Sequence, residues 1–146
     1  MFRFLTFVCF VSFQFMLNGQ VKVVEWGAEV ITKGDITEVQ ITANILKGWK
    51  LYSQHTEEGG PLPTQISFEF PETVRLEGET EESGGFNKEY SELFEIDVTS
   101  VKEGAKFVQK LSHSSDEEEL LIEIRYMSCN GLKCIPPTTE TITLKI

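Results

Sequence analysis

The sequence predicts an all-β protein, and two patterns indicate an immunoglobulin-like β-sandwich. Apolar and polar residues alternate with a period of two in five segments, which is the pattern of half-buried strands. These segments span residues 39–45, 66–70, 94–98, 120–125 and 141–146. Turn signals separate them, and seven to nine short strands spaced in this way are typical of such a sandwich.

Each element is justified by its own pattern and by the turn that follows it. Residues 29–33, 49–52, 74–76 and 106–111 are rich in strand-forming residues and are predicted as further strands. The turn signals are Gly34-Asp35, Lys47-Gly48, Gly59-Gly60-Pro61, Gly84-Gly85 and Glu103-Gly104. No segment has a convincing helical stripe, and the acidic run 116–119 is predicted as a solvated turn that enters a strand.

The N-terminus has the features of a secretory signal peptide, predicted to span residues 1–19. Arg3 supplies a short positive region, and a mainly apolar run follows from Phe4 to Leu17. That run is shorter than the roughly 20 residues of a membrane-spanning helix. We therefore expect cleavage after Gly19, loss of Cys9 with the signal, and a single exported domain of residues 20–146 without stable membrane insertion.

The charge of the chain excludes some partners. The chain has 13 basic and 23 acidic residues, which gives a formal net charge of −10. Nucleic acids and anionic membrane surfaces are bound through basic patches, so neither is an expected partner. The acidic charge either serves solubility, which is the simpler explanation, or favours a specific basic partner.

Cys129 and Cys134 enclose the turn signal Asn130-Gly131 and are the cysteines that the exported domain keeps. In a fully extended chain they would lie about 17 Å apart, whereas a disulfide needs Cα atoms within about 7 Å. Asn-Gly is a strong signal for a tight hairpin turn. Such a turn would place the two cysteines opposite each other on adjacent antiparallel strands.

Spacing alone leaves three uses for the pair. Closing so short a loop stabilises a fold by only about 2 kcal/mol, so a redox-active dithiol, a structural clip and half of a zinc site all stay open. His55 and His113 do not stand at ligand spacing from the cysteines, and no cofactor or metal motif is present. Strict alternation continued from Ile122 and Ile124 predicts that Cys129 points outward.

Two blocks of sequence resemble a known family. They are Gly48-Trp49-Lys50-Leu51-Tyr52-Ser53 with Gly59-Gly60-Pro61-Leu62-Pro63-Thr64, and the dicysteine segment that continues into Pro136-Pro137. Together with the strand pattern, they are similar to the N-terminal periplasmic domain of the thiol:disulfide interchange protein DsbD over essentially all of residues 20–146. The resemblance implies an immunoglobulin-like redox domain that relays electrons from membrane and thioredoxin-like domains to exported thioredoxin-fold proteins, including disulfide isomerases and cytochrome-maturation factors.

The resemblance also implies roles for individual residues. Cys129 and Cys134 match the redox pair, with Cys134 as the cysteine that forms the mixed disulfide. Phe86 is the best match for an aromatic in a loop that covers the pair, and Tyr52 matches a neighbouring tyrosine. The sequence ends just after the sandwich, so we expect a membrane thiol reductase to act as electron donor in trans.

The expected function is therefore protein-disulfide reduction in the periplasm, carried by Cys129 and Cys134 without a cofactor. Lys133 would lower a thiol pKa through its charge or is a plain solvated lysine. Pro136 and Pro137 either keep the strand after Cys134 open for a partner or merely end the hairpin. The alternative function is an exported immunoglobulin-like binding module with a structural hairpin disulfide.

Overall fold

The computed structural model describes residues 22–34, 36–114 and 117–146, and the regular structure in these ranges consists of β-strands. The predicted signal peptide, and with it Cys9, lies outside the described residues. The strands are β1 (Val24–Lys33), β2 (Ile36–Ile45), β3 (Lys50–Tyr52), β4 (Gln65–Glu69), β5 (Val74–Gly84), β6 (Asn87–Ser91), β7 (Ile96–Val101), β8 (Gly104–His113), β9 (Glu119–Tyr126), β10 (Ser128–Cys129) and β11 (Thr138–Lys145).

The strands form three antiparallel sheets. Their orders are β1-β2-β8-β5, β10-β3-β7-β6 and β11-β9-β4. The prediction of an all-β fold is confirmed for the described part of the chain. No helix among these residues has the length and hydrophobicity to cross a membrane.

The main core lies between the first and third sheets, where the predicted alternation gives the buried faces. Apolar side chains of β2, β8 and β9 make up most of it, and they are at most 7% exposed. Those on β2 and β9 stand at alternate positions, as predicted for residues 39–45 and 120–125. The buried members from these strands are Val39, Ile41, Ala43, Ile45, Ala105, Phe107, Leu111, Leu120, Ile122, Ile124 and Tyr126.

Three strands depart most from the prediction. β1 begins at Val24 rather than at residue 29, and β6 was not predicted at all. β5 was predicted only over residues 74–76, but it continues to Gly84 through a run of polar residues. An irregularity between Glu77 and Glu81 interrupts its pairing with β8, and Gly78 adopts a φ of 71° there. The extra residues at this bulge are accommodated by a glycine because positive φ costs it little.

A buried glutamine closes the bulge from the inside. Gln109 is 2% exposed, and its side-chain N–H groups donate to the carbonyl oxygens of Glu77 at 3.2 Å, Gly78 at 3.3 Å and Lys110 at 2.8 Å. Its side-chain oxygen accepts a 2.8 Å hydrogen bond from the hydroxyl of Thr80. Gln109 therefore supplies the hydrogen bonds that the interrupted ladder cannot make.

We predict that Gln109→Leu lowers the free energy of unfolding by about 1–3 kcal/mol, because it leaves carbonyl groups of the bulge without a donor. Urea unfolding followed by tryptophan fluorescence measures the change. Thr80→Val is the matched control, since it removes a single hydrogen bond and costs about 1 kcal/mol. Equal losses for both variants would show that the carbonyl contacts of Gln109 do not stabilise the bulge.

Candidate functional site

Cys129 and Cys134 form a disulfide across a tight hairpin turn. The S–S distance is 2.02 Å, the Cα atoms lie 4.0 Å apart, and the two residues form an antiparallel bridge. The backbone N–H of Asn130 donates to the carbonyl of Lys133 at 3.0 Å, and Gly131 has a φ of 86°. The turn expected at Asn130-Gly131 is thus confirmed, and it brings the cysteines together.

The side chain of Asn130 holds the loop in place. Its Oδ1 atom accepts hydrogen bonds from the backbone N–H groups of Leu132 at 3.1 Å and Lys133 at 3.0 Å. Asparagine is common in such turns because its side chain can replace a backbone acceptor. The Leu132 side chain is 96% exposed at the tip, so the loop presents an apolar side chain to solvent beside the disulfide.

Cys129 is the inner member of the pair. It lies in β10, which pairs with β3 so that Cys129 stands opposite Lys50. The hydroxyl of the preceding Ser128 donates to the Lys50 carbonyl at 2.9 Å, which adds a side-chain bond to this short pairing. Cys129 is 2% exposed and packs in a small cluster with Tyr52 and Val98.

The prediction that Cys129 points outward is wrong. It assumed that alternation continues unbroken from β9, but β9 ends at Tyr126 and Met127 lies between the strands. β10 then joins a different sheet, so residues 128 and 129 are both buried. A break of this kind resets which side of the strand faces the core.

Tyr52 lies against the disulfide cluster, where the resemblance placed a neighbouring tyrosine. It is 1% exposed, and its ring meets the ring of Phe94 edge-on at a centroid distance of 6.3 Å. Burial raises the pKa of the Tyr52 phenol to about 12, so the phenol is neutral at physiological pH. The Lys50 ammonium lies 5.9 Å from the ring centroid, within the range of a cation–π contact.

Phe86 packs elsewhere in the structure. Its ring meets that of Phe107 at 6.4 Å and packs against the main core, whereas Phe94 packs against the cluster that contains Cys129. The sequence pattern predicts Phe94 as the first residue of a strand, but Phe94 lies in the turn before β7, where Glu95 has a φ of 57°. The covering role assigned to Phe86 stays a prediction, and Phe94 is the phenylalanine in contact with the cysteine cluster.

A hydrogen-bond network secures the segment that follows Tyr52. The Ser53 hydroxyl and the Gln54 backbone N–H both donate to the carboxylate of Glu82, the second at 2.8 Å. The Thr64 hydroxyl donates to the Tyr52 carbonyl at 2.6 Å. Because Glu82 belongs to β5, this network joins the sheet that carries Cys129 to the first sheet.

A groove of about 930 Å³ opens beside Cys134, which is half-buried. Its walls are mostly apolar, with a 3.2 Å ion pair between Lys22 and Glu140 at one side. Burial and, secondarily, the charge of Glu140 raise the pKa of Tyr126 in the wall, which keeps that phenol neutral. The lining residues are Lys22, Val23, Trp49, Tyr126, Asn130, Lys133, Cys134, Ile135, Pro136, Pro137, Thr138 and Glu140.

The arrangement suits thiol exchange at a single sulfur. Cys134 faces an open groove, and Cys129 is shielded behind it, so an incoming disulfide would reach Cys134 first. Within residues 22–34, 36–114 and 117–146, no three His, Cys, Asp or Glu side chains are grouped as a metal site requires. The site described here therefore consists of the dithiol, the loop that carries it and the aromatic cluster behind it.

Comparisons with known proteins agree with this fold. The family model described as thiol:disulfide interchange protein DsbD, N-terminal, matches residues 20–146. A search of curated proteins found no significant match. Three solved structures share the fold, which confirms the immunoglobulin-like sandwich, and all have sequence identities of 15–16%.

The first of these structures is the reduced DsbD N-terminal domain of Neisseria meningitidis, with a TM-score of 0.55, 15% identity, and coverage of 82% of this chain and 84% of that one. The N-terminal periplasmic domain of ScsB from Proteus mirabilis has a TM-score of 0.60, 16% identity, and coverage of 84% and 46%. A complex between the DsbD and PilB N-terminal domains of Neisseria meningitidis has a TM-score of 0.54, 16% identity, and coverage of 81% and 80%.

We predict that Phe94→Ala accelerates alkylation of the reduced cysteines by a bulky maleimide, by about tenfold, because it removes an aromatic wall of their cluster. Phe86→Ala is the matched variant, and it should leave the rate near that of the unmodified protein. Alkylation quenched at successive times and followed by intact-mass measurement gives both rates. The opposite result, with acceleration by Phe86→Ala alone, would show that Phe86 is the aromatic residue that covers the cysteines.

Proposed function

We propose, since the chain belongs to the family of DsbD N-terminal domains, that it is a thiol:disulfide interchange protein that reduces partners through Cys129 and Cys134. The observation that carries the proposal is the unequal burial of the two sulfur-bearing residues. Cys129 is 2% exposed inside an aromatic cluster, and Cys134 lines an open groove. This asymmetry supports attack on the partner by Cys134 and resolution by Cys129.

The exchange proceeds in two displacements. In the reduced protein, the Cys134 thiolate attacks one sulfur of a partner disulfide, forms a mixed disulfide and releases the partner's other sulfur as a thiolate. The Cys129 thiolate then attacks the Cys134 sulfur and releases the partner's second thiol. The partner gains two electrons and two protons, and the protein is left with the Cys129–Cys134 disulfide that the structure contains.

The partners we propose are exported thioredoxin-fold proteins. A DsbD N-terminal domain forms a complex with the PilB N-terminal domain, which supports this choice, and the family resemblance implies partners with the thioredoxin fold. A membrane thiol reductase, acting in trans, would return electrons to the oxidised pair. Both steps take place outside the cytoplasm, and the periplasm is the compartment that the predicted signal peptide and the periplasmic ScsB domain favour.

Buried neutral groups around Cys129 protect the resolving thiol between encounters. Tyr52, Val98 and Phe94 surround it with apolar surface and exclude water and small oxidants. Tyr52 does not act as a base, because its raised pKa keeps the phenol protonated. The shield therefore allows exchange with a partner that docks at Cys134 and slows exchange with other thiols.

We predict that Cys129→Ser traps a mixed disulfide between Cys134 and an exported thioredoxin-fold protein, because no thiol remains to resolve it. Cys134→Ser is the matched control and should trap far less, since the remaining thiol is buried. Non-reducing electrophoresis and mass spectrometry identify the adducts. Equal trapping by the two variants would refute the assignment of roles.

The reduction potential separates this function from a structural disulfide. The reduction potential of a relay disulfide is expected to lie above roughly −300 mV, where cellular thiol systems can reduce the bond. The potentials of structural disulfides usually lie below that value. Equilibration with glutathione or dithiothreitol buffers gives the potential. A value well below −300 mV, together with no trapping by either cysteine variant, would favour the binding module with a structural clip.

A further inference from the structure

Glu140 occupies a core-facing position of β11, where a charged residue is uncommon. Residues that stand opposite each other in an antiparallel pair point to the same face, and Glu140 stands opposite the buried Ile124. The next two residues of the same row, Ile142 and Leu144, pack against the main core. The row of inward side chains therefore ends in a carboxylate, and this carboxylate lies in the wall of the groove beside Cys134.

The groove combines this carboxylate with two ammonium groups. The Lys22 ammonium lies 3.2 Å from each carboxylate oxygen of Glu140, and Lys133 lines the groove next to Cys134. The local balance is thus positive, although the whole chain has a formal net charge of −10. A small molecule with more than one carboxylate is attracted to this groove more than to the acidic surface around it.

The phenol of Tyr126 adds an uncharged donor to the same wall. Burial and the nearby Glu140 raise its pKa, so the phenol keeps its proton. The indole N–H of Trp26 is buried, makes no hydrogen bond of ordinary geometry, and acts as a weak donor toward the phenol oxygen. No acceptor among residues 22–34, 36–114 and 117–146 is hydrogen-bonded to the Tyr126 O–H, which leaves this donor for a ligand in the groove.

Apolar side chains make up most of the remaining wall. Trp49, Ile135, Pro136 and Pro137 line it, and the groove has a volume of about 930 Å³. Small-molecule sites commonly have volumes of about 300–1,000 Å³, with mostly apolar walls and a few polar groups that orient the ligand. The exchange at Cys134 does not by itself require such polar groups, so they indicate a ligand of defined charge.

The charges and the sulfur together select the class of ligand. Two ammonium groups and one carboxylate complement a molecule with two carboxylates and one ammonium group. Since Cys134 lies in the same groove, the ligand that uses every feature of the site also contains sulfur that can exchange. The disulfide of a short acidic peptide has this pattern in each half, and glutathione disulfide is the simplest probe of it.

We propose that the protein also reduces small disulfides and that the groove holds one half of the molecule during the reaction. The substrate class is a disulfide whose halves each carry two carboxylates and one ammonium group. Lys22 and Lys133 bind the carboxylates, Glu140 binds the ammonium group, and the sulfur of Cys134 reacts. The inference rests on the proposed function for the reactivity of the cysteine pair.

The reaction consumes the reduced protein. The Cys134 thiolate attacks one sulfur of the small disulfide, forms a mixed disulfide with one half and releases the other half as a thiolate. The Cys129 thiolate then attacks the Cys134 sulfur, and the second half leaves as a thiolate. Two electrons and two protons pass to the substrate, and the protein is left with the Cys129–Cys134 disulfide.

Binding is measured separately from exchange with S-methylglutathione, a thioether that cannot react with a thiol or a disulfide. Its titration into ¹⁵N-labelled oxidised protein should shift the indole N–H resonance of Trp49, which lines the groove. Lys22→Met should weaken the Kd by about tenfold, the effect of losing one charge-assisted hydrogen bond. Lys145→Met is the matched control, because it removes the same charge from an exposed site outside the groove and should leave the Kd unchanged.

Reduction rates test whether the bound molecule is a substrate. Reduced protein is mixed with glutathione disulfide and, separately, with the uncharged 2-hydroxyethyl disulfide, and the thiols released are measured after acid quenching. The ratio of the two rates cancels changes in the reactivity of the thiol itself. Glu140→Gln should lower this ratio by about tenfold, whereas Lys145→Met should not alter it.

Three results would overturn the proposal. The first is no shift of the Trp49 resonance at millimolar S-methylglutathione, and the second is equal weakening by Lys22→Met and Lys145→Met, which would indicate long-range charge alone. The third is an unchanged rate ratio in Glu140→Gln, which would leave this inward carboxylate as a charge that protects the edge of its sheet. Binding of the thioether requires no exchange, so its result is independent of the trapping and the reduction potential that test the proposed function.

Discussion

The antiparallel bridge between Cys129 and Cys134 is the constraint on which the site depends. It fixes the two cysteines at neighbouring positions of one ladder, yet gives them opposite surroundings. On the inner side, pairing with β3 holds Cys129 among buried side chains. On the outer side the ladder ends, and Cys134 faces a groove. A single geometric element therefore produces both a protected thiol and an accessible one.

The short strand β3 connects this bridge to the rest of the sandwich. It has three residues, but it pairs with β10 on one side and with β7 on the other. The segment directly after it is anchored by Glu82, which accepts hydrogen bonds from the Ser53 hydroxyl and the Gln54 amide. Glu82 is part of β5 in another sheet, so the surface behind Tyr52 is supported from two sides. Support of this kind holds the residues behind the disulfide in a fixed position.

Local patterns in the sequence were sufficient to predict most strands and the turn between the cysteines. Alternation over residues 39–45 and 120–125 reflects burial of one face, which is a local property, and Asn130-Gly131 specifies its turn through two residues alone. The polar half of β5 could not be predicted this way, because its pairing is stabilised from β8 by the buried side chain of Gln109.

The surroundings of the cysteines required the tertiary structure. The burial of Cys129 depends on the break at Met127, where the chain passes from one sheet to another, and no residue there signals a break. Contact of Phe94 with the cluster depends on the turn before β7. The family resemblance pointed to Tyr52, which lies in the cluster with Cys129, and to Phe86, whose ring packs against Phe107 of the main core.

The small size of the disulfide loop determines how much reduction of the disulfide changes the stability of the fold. Only four residues separate the cysteines, so the disulfide restricts the unfolded chain little. Its cleavage therefore lowers the free energy of unfolding by only about 2 kcal/mol. Neither cysteine is among the buried residues of the main core. We therefore expect the oxidised and reduced molecules to share one folded scaffold. Opening this disulfide would carry a much smaller risk of unfolding than opening a disulfide that closes a long loop.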